Sequence, residues 1–342
     1  MALAARQQVL FTPGPVNLHP AIKARLFEFE LSHRQPEFDD LRRRVKDRLF
    51  SAAGLSTDDH RLSLLHGSGT LAVDAGLTSL VRGKVLVVDN GVYCERILTT
   101  LEPLAGVRLH RHPAGLGRRP HVDQLADEVA RERPDWIAVV HHETTTGLLN
   151  PLTPIADIAG ANGCRLFVDA VSSLGAHAVD RRADVICFNS NKSLESLPGV
   201  AGIFWRRHLG LHPTVPVLDV GAYADAIPST PNVQAFLALD IALDLLAGED
   251  RPARYERLAR RVWEAGSRRF EPLLPEADRS HVLTSFRVGQ NDPDELYHRA
   301  LDHGYVIYRG QGPLRNQIFR VANLGYAIGE EIIEELFSVL ER

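Results

Sequence analysis

The chain has 342 residues, 44% hydrophobic and 24% charged, a balance ordinary for a water-soluble globular protein. That length exceeds what one hydrophobic core usually serves, so a large unit and a smaller one are expected. A net charge of −4 without any Lys/Arg run argues against a nucleic-acid or membrane partner, and no stretch reaches the ~20 apolar residues of a membrane span.

In chain order, the first fifteen residues carry one early Arg and no apolar run before Pro13, so no signal peptide is read there. From about residue 61, short β-branched runs alternate with amphipathic stretches. Strands are expected at Arg61–Leu65, Lys84–Val88, Trp136–His141, Cys164–Val168, Val185–Phe188 and Gly202–Trp205, and helices near 70–82, 93–103, 121–132 and 153–162. Several strand runs are apolar on both faces, which implies an α/β fold with a mostly parallel sheet covered by helices. Ligands of such sheets collect at the carboxyl ends of the strands. Helical stretches at 231–248 and 251–273 then lead into a small α+β unit. It holds a strand at 281–288, a helix at 293–303, strands near 305–308 and 317–322, and a helix at 329–341. Three widely spaced cysteines, Cys94, Cys164 and Cys187, suggest neither disulfides nor a zinc site and fit a reducing cytoplasm.

The polar residues at expected strand ends carry the chemistry. His66-Gly67-Ser68-Gly69-Thr70 leads from a strand into a helix, where free N–H groups and the helix dipole favour a phosphate. A plain turn is the bland alternative. The sharper rival is a dinucleotide fingerprint, Gly67-x-Gly69-x-x-Ala72 with Asp89 at a later strand end, which would make the chain a dehydrogenase. Two neighbouring strand exits, 23 residues apart, offer a carboxylate (Asp169) and an amine (Lys192). Either alone reads as a loop cap or a surface charge. Together they are what pyridoxal phosphate needs: a lysine for its aldehyde and an acid that keeps the pyridine nitrogen protonated. Tyr93 could stack on a flat ring, Thr144 and Thr145 could donate hydrogen bonds, and His141-His142-Glu143 lacks a metal-site spacing, so no metal is expected. Arg320 sits inside an apolar strand, where a guanidinium needs an oxyanion or a structural salt bridge.

Thr12-Pro13-Gly14-Pro15, Gly67 to Thr70, Asn90-Gly91-Val92-Tyr93, Glu143 to Gly147, Asp169 to Ser173, Asn191-Lys192, Thr230 and Phe319 to Gly325 occur in the order of the class-V aminotransferases. The resemblance spans nearly the whole chain. It implies the aspartate-aminotransferase-like fold (pyridoxal-phosphate fold type I), with a seven-stranded-type sheet in a large unit at 14–235. The small unit would comprise 1–13 and 236–342. It further implies Lys192 as the Schiff-base lysine and Asp169 as the partner of the pyridine nitrogen. Ser68, Gly69 and Thr70 would hold the phosphate, Tyr93 would stack on the ring, Thr145 would contact the ring or its 3-hydroxyl, and Val171 and Asn191 would complete the cofactor site. Thr230 would reach the phosphate of a second subunit in a homodimer with shared active sites, and Arg320 would grip a substrate carboxylate.

Within the class, His142–Pro151, Asn191–Gly199 and Gly304–Gly310 resemble the branch that transfers the amino group of 2-aminoethylphosphonate to pyruvate. The expected partners are therefore a small amine and a keto acid, with His33, Arg34 and Arg309 as further candidates for a phosphonate. Ser32–Phe38 instead resembles the alanine– and serine–glyoxylate branch, and the stretch from Trp205 to Thr230 is shorter than in either. A desulfurase-type lyase is disfavoured because Asn191, not His, precedes Lys192 and no Cys follows Cys187. A catalytically silent binding protein is disfavoured by the joint presence of Lys192, Asp169 and Arg320.

Overall fold

Seven strands built largely from Val, Ile, Leu and Phe form the central sheet. The structure is a computed structural model describing residues 8–26, 28 and 30–342; residues 1–7 of the expected small unit lie outside that set. Across the sheet the strands run His60–Gly67, Gly199–Arg206, Val185–Asn189, Arg165–Asp169, Trp136–Val140, Gly83–Asp89 and Val107–Pro113. All are mutually parallel except Gly199–Arg206, which is antiparallel to both of its neighbours. Trp136–Val140 and Val185–Asn189 are buried along their whole length, as strands covered on both faces must be.

One strand of this sheet is not among the expected elements. Val107–Pro113 (VRLHRHP) is an edge strand whose Arg and His residues are tolerated because one side faces solvent. The helix Pro36–Ala53, ahead of the alternating region, was likewise not among the expected elements. Its Phe38, Leu41, Val45 and Leu49 are buried against one face of the sheet together with Phe236, Leu239 and Leu243 of the helix Val233–Ala247. Phe38 and Phe236 meet edge-on at 5.4 Å, and Arg48 bonds Asp240 and Asp244. By its packing, therefore, Val233–Ala247 goes with the large unit, although the expected division falls at 235/236. A second core, including Leu77, Ile97 and Phe167, covers the other face of the sheet.

A third core is separate. Strands Leu283–Arg287, Ile318–Ala322 and Tyr308–Arg309 form an antiparallel sheet in that order, backed by helices Arg251–Ser267, Pro293–Asp302 and Glu330–Glu341. Val9–Leu10 pairs in parallel with Tyr305–Val306, so the N-terminal strand closes onto this smaller unit.

Candidate active site

The parallel strands end along one edge of the sheet, and the antiparallel strand begins there, with Gly199 opposite Gly67. A cavity of about 440 Å³ opens at that edge, lined among others by Ser68, Thr70, Tyr93, Asp169, Asn191 and Lys192. Its volume lies within the roughly 300–1,000 Å³ usual for small-molecule sites.

Three of its walls come from strand-to-helix or strand-to-loop exits. At the first, Ser68 caps the helix Gly69–Leu80 by position, but its side chain makes no capping hydrogen bond. Ser68, Gly69 and Thr70 line the cavity at this helix start, where the backbone N–H groups ahead of the bond from the Leu71 N–H to the Ser68 carbonyl have no helical partner and suit an anion. Gly69 is required by close approach, since a Cβ there would lie 2.4 Å from Val171 Cγ1. At the second exit Asp169 is buried, and its Oδ1 accepts the Val171 N–H at 2.9 Å. Burial pushes its pKa up, against that hydrogen bond and the nearby cations Lys192 and Arg96. A cation placed against this carboxylate would relieve that desolvation. At the third, Lys192 Nζ lies 5.5 Å from the Tyr93 ring centroid, and no carboxylate among the described residues lies within 4 Å of it. Its stem is set by the N-terminal Pro-Gly-Pro turn. Gly14 has φ +126°, and a Cβ there would come within 2.8 Å of Lys192 Cγ and the Asn191 carbonyl.

Glu143 organises the next layer. It is fully buried, and its Oε2 accepts the Tyr93 N–H at 3.0 Å while Oε1 accepts the Thr145 N–H at 2.9 Å. One carboxylate thus fixes the backbone of both residues. Thr145 does not line the cavity; its buried Oγ1 lies near Glu143 without a well-formed hydrogen bond. Thr144 contributes its carbonyl, which accepts from Arg320 Nη1 at 2.9 Å. Arg320 Nε donates to the Arg309 carbonyl at 2.9 Å, and the guanidinium lies 5.6 Å from the Tyr308 ring centroid. Burial lowers its pKa, opposed by Tyr93, Tyr308 and Glu143, but a guanidinium stays charged. Among the described residues it has no carboxylate within 4 Å, so the structural salt bridge considered above is not formed.

Several expected residues lie elsewhere. Arg309 is turned away: its Nε is 2.8 Å from Asp294 Oδ1 and its guanidinium stacks over Tyr297 at 4.5 Å. The reason is strand alternation. Tyr308 pairs directly with Arg320 and faces it, so Arg309 must point to the opposite side. His33 and Arg34 occupy the turn before the helix Pro36–Ala53 and do not line the cavity; nor does Thr230, which is exposed. Conversely, Arg96, Asn189 and Pro198 line the cavity without having been singled out. Arg96 is one helical turn beyond Tyr93, on the same face, a spacing that would have found it.

The dinucleotide reading fails on topology. A fingerprint strand sits centrally in that fold, whereas His60–Gly67 is at the sheet's edge. Asp89, the residue that would bind a ribose, is held instead by Cys94 Sγ at 2.9 Å and Arg111 at 3.3 Å.

The profile of the family described as "Aminotransferase class-V" matches residues 70–296. The 2-aminoethylphosphonate–pyruvate transaminase of Syntrophobacter fumaroxidans is 32% identical, over 95% of this chain and 93% of that protein. The enzyme of the same name from Pseudomonas aeruginosa is 30% identical, over 100% and 97%. An alanine–glyoxylate aminotransferase from Nostoc sp. superposes with a TM-score of 0.89 at 24% identity, covering 100% of this chain and 96% of that one, and establishes the fold. Pyridoxal phosphate, which this family implies, fits the cavity's residues on three counts. The Gly69 cradle suits its phosphate, the buried Asp169 carboxylate suits a protonated ring nitrogen, and Asn189 Oδ1 is buried without a hydrogen-bond partner.

Proposed function

Because this chain belongs to the class-V aminotransferases, we propose that it moves an amino group from 2-aminoethylphosphonate to pyruvate, the two binding in turn at one site. It is a pyridoxal-phosphate-dependent transaminase. The observation that carries the substrate reading is Arg320, a buried guanidinium with no acidic partner among the described residues. Through the Thr144 carbonyl and Glu143 it is tied to Tyr93, whose ring lies beside Lys192. The names of the two relatives support the same pair of substrates.

When bound, the cofactor supplies a carbonyl carbon that carries the amino group and a ring that accepts electrons. The chain's residues do the rest. Ser68, Gly69 and Thr70 would hold the phosphate, and Tyr93 would limit the ring's tilt. Asp169, oriented by the Val171 N–H, would keep the proton on the ring nitrogen. Lys192 would anchor the cofactor's carbonyl carbon and, once an incoming amine displaces it, shuttle a proton at Nζ to and from the substrate's reacting carbon. Arg320 would orient whichever substrate is present through its anion, a phosphonate in one half-reaction and a carboxylate in the other.

Thr230 supports a shared site: exposed in one chain, it is free to serve the phosphate cradle of a second copy in a homodimer. The three buried, unpaired cysteines support a cytoplasmic setting. No described helix is long and apolar enough to cross a membrane.

The test is a set of donor half-reactions followed by the change in cofactor absorbance. 2-Aminoethylphosphonate should convert the enzyme to its amino form, and pyruvate should restore it. If alanine or serine does so and the phosphonate does not, the chain belongs with the glyoxylate-type enzymes, as the Ser32–Phe38 segment suggests.

A further inference from the structure

Three residues after Lys192 the backbone does something unusual. Glu195 has φ +55°, a left-handed conformation uncommon for a side chain of its size, and its carboxylate is turned inward and buried. Every partner it meets is a donor. Oε1 receives the Tyr255 hydroxyl at 2.7 Å, Arg254 Nη2 at 2.8 Å and the Gly325 N–H at 2.7 Å, while Oε2 lies 4.0 Å from Arg251. Burial alone would raise the carboxyl's pKa, but Arg251 and Arg254 outweigh it, and the net displacement is downward. Arg251 Nη1 also donates to the Leu194 carbonyl at 3.2 Å, and the Tyr255 hydroxyl lies 3.0 Å from the Ser193 carbonyl.

These contacts join parts that are far apart in sequence. Glu195 belongs to the loop that carries Lys192, and its own N–H bonds the Lys192 carbonyl at 2.9 Å. Arg251, Arg254 and Tyr255 belong to the helix Arg251–Ser267 of the smaller unit. Gly325 lies five residues beyond Arg320, just after the strand Ile318–Ala322. Asn323, between them, is fixed by its side chain to the Tyr255 and His281 carbonyls.

We propose that Glu195 is a positioning residue, its buried carboxylate tying the Lys192 loop to the Arg320 strand so that amine and guanidinium keep one separation across the two units. The proposal rests on the transaminase reading of Lys192 and Arg320. A Gln with its carbonyl oxygen at the Oε1 position would keep the Tyr255, Arg254 and Gly325 donors, but its NH₂ would face the Arg251 guanidinium and the negative charge that offsets Arg251 and Arg254 would be gone.

The experiment compares wild type, Glu195→Gln and Tyr255→Phe. In the cofactor-free proteins, hydrogen exchange is followed in peptides covering 193–196, 323–325 and the strand Val185–Asn189. Glu195→Gln should speed exchange about tenfold or more in the first two segments together and leave the strand unchanged. In the loaded enzyme, kcat/KM for the keto acid should fall about tenfold or more. Tyr255→Phe keeps the Arg–Glu contacts and should shift both readouts in the same direction by a smaller factor, which decides the matter if Glu195→Gln does not fold. Response of one segment alone, or a folded variant that loses stability but stays within about twofold of wild-type kcat/KM, overturns the proposal. Borohydride labelling of wild type, run in parallel, separates failure of the tie from failure of the Lys192 assignment.

Discussion

Replacing Arg320 with Lys keeps the charge and removes the planar fork. A guanidinium has five N–H donors, and Arg320 spends two of them on the Arg309 and Thr144 carbonyls, which leaves three (5 − 2) for a ligand. An ammonium has three donors in all, and holding those two carbonyls would leave one. A bidentate grip on a carboxylate therefore becomes single, at a loss of about 1.5–3 kcal/mol for one charge-assisted hydrogen bond. By the same account Arg320→Lys lowers keto-acid kcat/KM by about 10- to 150-fold. The assay is single-turnover reaction of the amino-form enzyme with increasing keto acid, read by recovery of the cofactor's original absorbance. The variant must first be shown to keep the Lys192 linkage, so that the loss belongs to substrate binding. A kcat/KM within about threefold of wild type would mean that Arg320 does not carry the bidentate contact.

Other outcomes follow from the same geometry. Asp169→Asn exchanges the ring-nitrogen partner for a neutral amide and should slow both half-reactions by roughly 10²-fold or more; rates within about twofold would refute the role. Mixing Lys192→Ala chains with a Thr230→Ala variant should restore activity, because one site of each mixed dimer would contain neither lesion; verified heterodimers without recovered activity would exclude a shared site. Burial lowers the pKa of His142 to about 3 and of His141 to about 4. Below pH 6.5 the unfolded chain binds protons that the folded chain refuses, so these two residues cost stability as pH falls. The buried Asp169 and Glu143, with raised pKa values, act in the opposite sense but equally in wild type and variant. His142→Gln should therefore flatten the acid limb of urea-unfolding stability, between pH 5.5 and 4.5, by about 1.4 kcal/mol per pH unit. An unchanged slope would show that His142 titrates in the folded state.

The residues at the cavity were legible where local pattern and chemistry coincided. Asp169 ends an apolar strand and Lys192 follows the end of the next one by three residues, and the parallel arrangement brings the two adjacent strand ends together. Gly69 and Gly14 mark places where backbone must pass close to a neighbour. What stayed hidden depended on contacts between distant segments or on fine geometry. Val107–Pro113 lacks the apolar run that marks an interior strand, since an edge strand has no need of one. Arg309 was misplaced by reading its motif as a unit instead of applying strand alternation from Arg320 through Tyr308. Glu143 was weighed only against metal-site spacing, while its role, receiving the N–H groups of Tyr93 and Thr145, spans 50 residues. Glu195 lies inside the Asn191–Gly199 motif, yet its role is not legible there, because neither its left-handed backbone nor its partners on the helix Arg251–Ser267 can be read from the local sequence.

The most direct test of the account is the fate of Lys192 under borohydride. Purified protein with pyridoxal phosphate should be yellow, and reduction should bleach it and leave the cofactor's mass on the peptide containing Lys192. Lys192→Ala should abolish turnover and take no label. Covalent label on any other lysine, or turnover surviving in Lys192→Ala, would contradict the account.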